Sequence, residues 1–232
     1  MQATVRALAV IGVSLLLAAC PKGMRPSAGR PGVPPLPTAD LRGAKVYAVS
    51  AADSRVNILV YRGGAMARLG HNHVMTSQSV QGRVWLQPTL ARSGFELSFP
   101  VNDLVVDDPQ ARSAAGDEFP PQIPQADRDG TRKNMLRAAV LDGEHFATVT
   151  LQSVRVSGTV QSPTISTRIT IKGVARDVDV PAQVVVTDSR LSASGEFDIT
   201  QSAFGITPFS IGLGALTVQD KLHVKFSIVA LR

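Results

Sequence analysis

Cys20 is the single cysteine among 232 residues. No disulfide can form within the chain, so its fold has to rest on a buried core rather than on covalent links. Catalytic signatures are missing as well. There is no Gly-x-Ser-x-Gly elbow, no His-Glu-x-x-His pair, no Gly-x-x-x-x-Gly-Lys loop to cradle phosphate and no spare cysteine to act as nucleophile. The chain is therefore read as a protein that is not an enzyme. Its paired acids, Asp107 with Asp108 and Asp117 with Glu118, fall in a proline-rich stretch, where carboxylates are expected to be exposed and solvated. Long hydrophobic runs are lacking too. The apolar stretch Ala7 to Ala19 spans 13 residues, short of the roughly 20 that a bilayer-crossing helix needs.

That stretch does follow a basic residue, Arg6, and closes in small residues, which is the three-part layout of a secretory signal. Leu17-Ala18-Ala19-Cys20 resembles the lipobox of bacterial lipoproteins. The resemblance implies that residues 1–19 are a signal peptide and that Cys20 is the lipidation site. Each acyl methylene buried in a membrane contributes about 0.8 kcal/mol, so two or three chains hold firmly where one would not. The expected location is the cell envelope, lipid-anchored, at the periplasmic face of the outer membrane if the cell has two membranes. Pro21 is not the aspartate associated with retention at the inner membrane.

Residues 20–45 are proline-rich and basic, without hydrophobic periodicity, and read as an extended tether. Lys22, Arg25, Arg30, Arg42 and Lys45 against Asp40 give this segment +4, and with Arg6 set aside only +1 of the chain's +6 falls on residues 46–232. The basic balance therefore belongs to the tether, where it suits an anionic lipid surface. A nearly neutral domain, in a chain with 5% aromatics, does not suit nucleic acid.

Residues 46–232 number 187, enough for one domain with a sizeable core. Apolar residues alternate there with period two, as in strands that present one face to a core. Leu222, Val224, Phe226, Ile228 and Ala230 share a face, as do Leu191, Ala193, Gly195, Phe197 and Ile199, and as do Phe95, Leu97, Phe99 and Val101. With further candidates at 46–50, 54–61, 82–87, 147–156, 165–171 and 174–188, the last broken near Pro181, the count reaches about eight or more strands. The pattern predicts a mainly β, antiparallel barrel or sandwich. Helical spacing over Thr131–Leu141 predicts one short helix, and Asp107–Arg128 reads as a long, mobile loop.

Four segments, in order, resemble the YceI-like family of exported lipid-binding proteins. They are Arg68-Leu69-Gly70-His71-Asn72-His73 followed by Gly82-Arg83-Val84, then Asn134-Met135-Leu136-Arg137 with Leu141 to Leu151, then Ile169 to Val178, and last Ser202-Ala203-Phe204-Gly205-Ile206. The segments depart from the family pattern at Ala147, Leu151, Ala175 and Ala203. The resemblance implies a lipocalin-like antiparallel β-barrel over 46–232 whose lumen binds an amphiphilic lipid such as a polyisoprenoid, a quinone-type molecule or a fatty-acid derivative. Such a ligand would be carried, sequestered or sensed.

The candidate lining residues are Phe95, Leu97, Phe99, Phe197, Ile199, Phe226 and Ile228. Each serves equally well as plain core, because the inward faces of small barrels also fill without ligand. Trp85 has apolar neighbours on both sides and is assigned to neither face. His71 and His73 are two apart, so in a strand both imidazoles point the same way and could meet a lipid headgroup or a metal ion. A metal site normally needs a third protein donor, and neither His145 nor His223 can be positioned from sequence. No cofactor is expected beyond a bound lipid. The expected partners are that lipid and the membrane. The competing readings are a metal- or haem-associated accessory protein using His71 and His73, and a structural or adhesive module with a filled barrel.

Overall fold

Leu222, Val224, Phe226 and Ile228 do share the face of one strand, and the whole architecture is organised around that strand. The computed structural model describes Leu36 and residues 38–232. The signal stretch, Cys20 and most of the tether lie outside the described residues. The described part of the tether meets the domain: Gln87 donates to the Asp40 carbonyl at 2.9 Å, and Arg92 pairs with the Asp40 carboxylate at 3.1 Å. Among the described residues no helix is long and apolar enough to cross a membrane.

The strands are β1 (Lys45–Val49), β2 (Arg55–Gly63), β3 (His73–Ser77), β4 (Gln81–Leu86), β5 (Gly94–Pro100), β6 (Val105–Val106), β7 (Thr148–Gly158), β8 (Pro163–Ile171), β9 (Val174–Pro181), β10 (Gln183–Val186), β11 (Arg190–Thr200), β12 (Ser210–Ile211) and β13 (Leu216–Leu231). They run in the order β6-β3-β2-β13-β1-β4-β5-β7-β8-β9, and neighbouring strands are antiparallel. This is the mainly β, lipocalin-like antiparallel fold expected, built from thirteen strands because several are only two to five residues long.

β13 holds the sheet together. One of its edges pairs with β2 from Thr217 to Ser227 and then with β1 at Ala230 and Leu231, while the other pairs with β11 from Lys221 to Leu231. Between Val218 and Leu222 the register with β2 slips. The buried Gln201 side chain takes up the Gln219 carbonyl at that bulge, donating at 2.8 Å. β9 and β10 are two halves of one strand bent at Ala182: β9 pairs with β8 and β10 with β11. The wall crosses this corner by chain continuity, so the hydrogen-bonded sheet is not closed there. Gly195 makes the corner feasible, since a Cβ on it would sit 2.4 Å from the Pro181 carbonyl and 2.9 Å from the Phe226 ring.

Among the described residues two α-helices replace the one expected, the first wholly and the second partly in the stretch read as loop. α1 (Pro109–Ala115) begins where the Asp108 carboxylate accepts from the Gln110 and Ala111 N–H groups, with Pro109 in the first turn. That pairing satisfies the free donors of a helix start. α2 is Gln125–Met135 rather than Thr131–Leu141. Gly130 sits inside the helix despite a cost of up to about 1 kcal/mol relative to Ala. Leu136, Val140 and Leu141 follow the helix in tight turns and pack on the main core. Their spacing reflected burial by a chain that had already left the helix.

β2 is covered on both faces. Val56, Ile58 and Val60 face the barrel interior, while Leu59 and Tyr61 meet Phe119, Ala111 and Ala115 of the α1 region outside. Tyr61 and Phe119 stack edge to face at 5.4 Å.

Candidate functional site

The interior faces enclose two adjoining apolar cavities. The larger, about 200 Å3, is walled by Ile58, Val60, Met75, Phe99, Ile199 and Leu222 among others. The smaller, about 120 Å3, lies among Trp85, Phe95, Leu97, Phe226 and Ile228. Val56, Leu151, Phe197 and Val224 line both and form a waist between them. Cross-strand register explains the waist: Phe197 lies opposite Val224 on β13, and Val224 lies opposite Ile58 on β2, beside Val56. The Phe197 and Phe226 rings sit 6.3 Å apart, tilted at 57°.

The structure thus sets Phe99 and Ile199 in the large cavity, Phe95, Leu97, Phe226 and Ile228 in the small one, and Phe197 at the waist. Trp85 is buried against the small cavity, its indole N–H donating to the Arg92 carbonyl at 3.1 Å. Sequence reading passed over Met75, Leu151 and the β2 residues, although the 56, 58, 60 alternation carried the same signal.

More polar side chains border the large cavity than the small one. His73, Thr131, Asn134 and Gln201 line the large cavity. The polar residues of the small cavity are already engaged: the Ser93 hydroxyl accepts from the Gln87 N–H, and Thr167 donates to the Ile165 carbonyl.

The two histidines are brought together, with ring centroids 5.2 Å apart in an edge-to-face arrangement, but each has its own carboxylate. His71 Nε2 is 3.8 Å from Asp127, and His73 Nδ1 is 2.7 Å from Asp107. Asp107 corrects the reading of these acids as exposed and solvated: it is 1% exposed. It follows β6 with a φ of 55°, a left-handed turn that Asp tolerates better than most residues. This turn aims its carboxylate back at β3, where it accepts from the Val74 N–H at 2.9 Å and from Arg112 at 2.5 Å.

Arg112, from α1, is fully buried. It also donates to the Asn72 carbonyl at 2.7 Å and the Pro120 carbonyl at 2.6 Å, with Phe119 5.8 Å from its guanidinium. Asn72 is pinned in turn, accepting from the Arg62 N–H and donating to the Glu118 carbonyl. Burial pushes the Asp107 carboxyl up, yet hydrogen bonds from His73, Val74 and Arg112 outweigh it and hold the group below the ordinary carboxylate range. His71 is shifted down, chiefly by burial and then by His73. Asp107, Arg112 and Asn72 form a buried support behind the one imidazole that reaches the cavity. The Asp108-Pro109 pair was the signal for it, as a helix start that would fold the loop onto the barrel.

Among the described residues no group of three or more His, Cys, Asp or Glu side chains is placed to hold a metal ion. His145 and His223 stand apart from the pair, on Asp142 and on Asp198 with Glu196 respectively.

A family model for the YceI-like domain matches residues 47–230. Solved structures that resemble the chain include BcnA from Burkholderia cenocepacia, at 18% identity, covering 78% of this chain and 99% of that one with a TM-score of 0.56. Another is a polyisoprenoid binding domain from Saccharophagus degradans implicated in plant cell wall breakdown, at 11% identity, covering 80% of this chain and 97% of that one with a TM-score of 0.51. At such identities the likeness is one of fold. No curated protein matches the chain. With the family model spanning most of its length, the chain belongs to the YceI-like domain family.

Proposed function

We propose that the domain binds one slender amphiphilic lipid, of the polyisoprenoid, quinone-type or fatty-acid-derivative kind, and carries, sequesters or senses it without chemical conversion. The observation that carries this reading is the pair of apolar cavities sharing four wall residues, with every unengaged polar lining group at one end. Either cavity alone falls below the roughly 300–1,000 Å3 of ordinary small-ligand pockets. A ligand that uses the space has to be narrow and thread the waist, with its tail among Trp85, Phe95 and Phe226 and its head near His73. The family membership and the polyisoprenoid-binding description of a structural neighbour support the same reading. In the test, the chain is purified from expressing cells under mild conditions, extracted with organic solvent and analysed by mass spectrometry for non-covalent lipid. One lipid per chain is expected, and its absence across several growth conditions would sink the proposal.

The lipoprotein reading of residues 1–20 is part of the proposal and rests on the signal layout and the lipobox resemblance. The chain is expected in the membrane fraction of the cell envelope, and Cys20→Ser should release it. Unchanged fractionation of that variant would exclude lipid on Cys20 as the anchor.

A further inference from the structure

We infer that the ligand's head group is uncharged and bears a hydroxyl, a prenol-like alcohol rather than a phosphate ester or a free acid. This inference rests on the lipid-binding reading above and narrows it. No Lys, Arg, Asp or Glu lines either cavity. Cations on the segments that border the large cavity have partners of their own. Arg112 is held by Asp107, Asn72 and Pro120, Arg132 donates to the carbonyls of Leu104 and Asn102, and Lys172 donates to the Ala138 carbonyl. Arg137 lies against Phe209, 5.9 Å from the ring centre, but is exposed. An anion drawn into the large cavity would lose its hydration and find no partner charge, which is far costlier than burying a hydroxyl that gains a hydrogen bond.

The remaining polar groups suit that hydroxyl. Asp107, as a carboxylate held by Arg112 and the Val74 N–H, has only acceptor capacity to offer His73, so Nδ1 carries the proton and donates. In the neutral ring Nε2 is then left as an acceptor for an O–H. Gln201 spends one of its two amide N–H donors on the Gln219 carbonyl and, with Thr131 and Asn134 on the α2 side, stands as a further partner on the cavity wall.

The test uses the full chain at pH 8 and three ligands with the same tail: geranylgeraniol, geranylgeranyl monophosphate and geranylgeranoic acid, each competing against a fluorescent lipid probe. The alcohol is expected to bind at least ten times more tightly than either anion. Asn134→Lys, or Thr131→Lys should the first variant fold poorly, places a cation on the wall and is expected to reverse the order in favour of the phosphate. Any residual phosphate binding is expected to weaken in Arg137→Ala, since only the rim offers a charge. Equal or tighter binding of either anion by the unaltered chain, persisting in Arg137→Ala, would overturn the uncharged-head inference while leaving lipid binding intact. Failure of all three ligands and of the probe to bind would instead remove the lipid-binding reading, and this inference with it.

Discussion

Two histidines of this domain sit on carboxylates at nearly the same distance, His73 on Asp107 at 2.7 Å and His223 on Asp198 at 2.8 Å, yet the two pairs have little else in common. Asp107 is sealed from solvent, braced by a buried arginine and a backbone N–H, and its imidazole borders a cavity. Asp198 lies open on β11, where Lys221 also reaches it at 2.6 Å, and Glu196 stands 3.4 Å from the other ring nitrogen. Distance therefore says little about worth. In the first setting a charge that loses its partner cannot turn to water, and in the second it can.

Arg112→Met should do the most damage, leaving Asp107 charged and sealed with one bracing group gone. A loss of about 3–5 kcal/mol is expected in urea unfolding, as for other broken buried pairs. The double change Asp107→Leu with Arg112→Met should cost less than Arg112→Met alone, because no orphan charge remains. A double variant less stable than the single would show that the network contributes more than mutual neutralisation. His73→Ala should cost about 1–3 kcal/mol, the penalty for taking a hydrogen bond from a buried carboxylate. His223→Ala should cost at most about 1 kcal/mol, and less in high salt. Equal losses at His73 and His223 would erase the distinction between the two settings.

The smallest expected effect is a pH slope. The folded state holds the His71 proton less tightly than the unfolded chain does, because burial disfavours the charged ring. Its contribution to stability is therefore complete above the ordinary imidazole value near 6.5 and is lost as pH falls through the lower folded value. His71→Asn should flatten unfolding free energy against pH in that window. A slope unchanged in the variant would assign it to another group. Asp107 follows the same sign at more acid pH: its lowered value stabilises the fold above the ordinary carboxylate range and fails as pH drops below it.

Much of the barrel wall was legible because alternation is a local property. Phe197 and Ile199 had to share a face, and so did Leu222 and Val224, whatever their partners were. Register was not legible. That Phe197 meets Val224 and so narrows the lumen depends on pairing between strands, which no single strand records. The histidine pair was visible as a spacing, but its support was hidden by a compositional habit: acids beside prolines usually mark exposed loops. Asp107 departs from that habit because α1 folds Arg112 back over it, and α1 itself was foreshadowed only by the cap at Asp108. The helix at Thr131–Leu141 failed for the converse reason. Met135 and Leu136 were spaced for burial, and burial was achieved where the chain turns off the end of α2.

The long β13 strand also dictates when the molecule can fold. Arg55 pairs with Ser227 and Ala48 with Leu231, so β1 and β2 find their shared neighbour only after most of the intervening chain has been gathered in. Contacts of such sequence separation demand loop closure before they return any stability, which places barrel assembly among slow folding topologies. Until β13 docks, β1, β2 and β11 all present unpaired edges, so the step that completes the cavity-bearing interior is also the step that ends the chain's exposure to wrong strand partners.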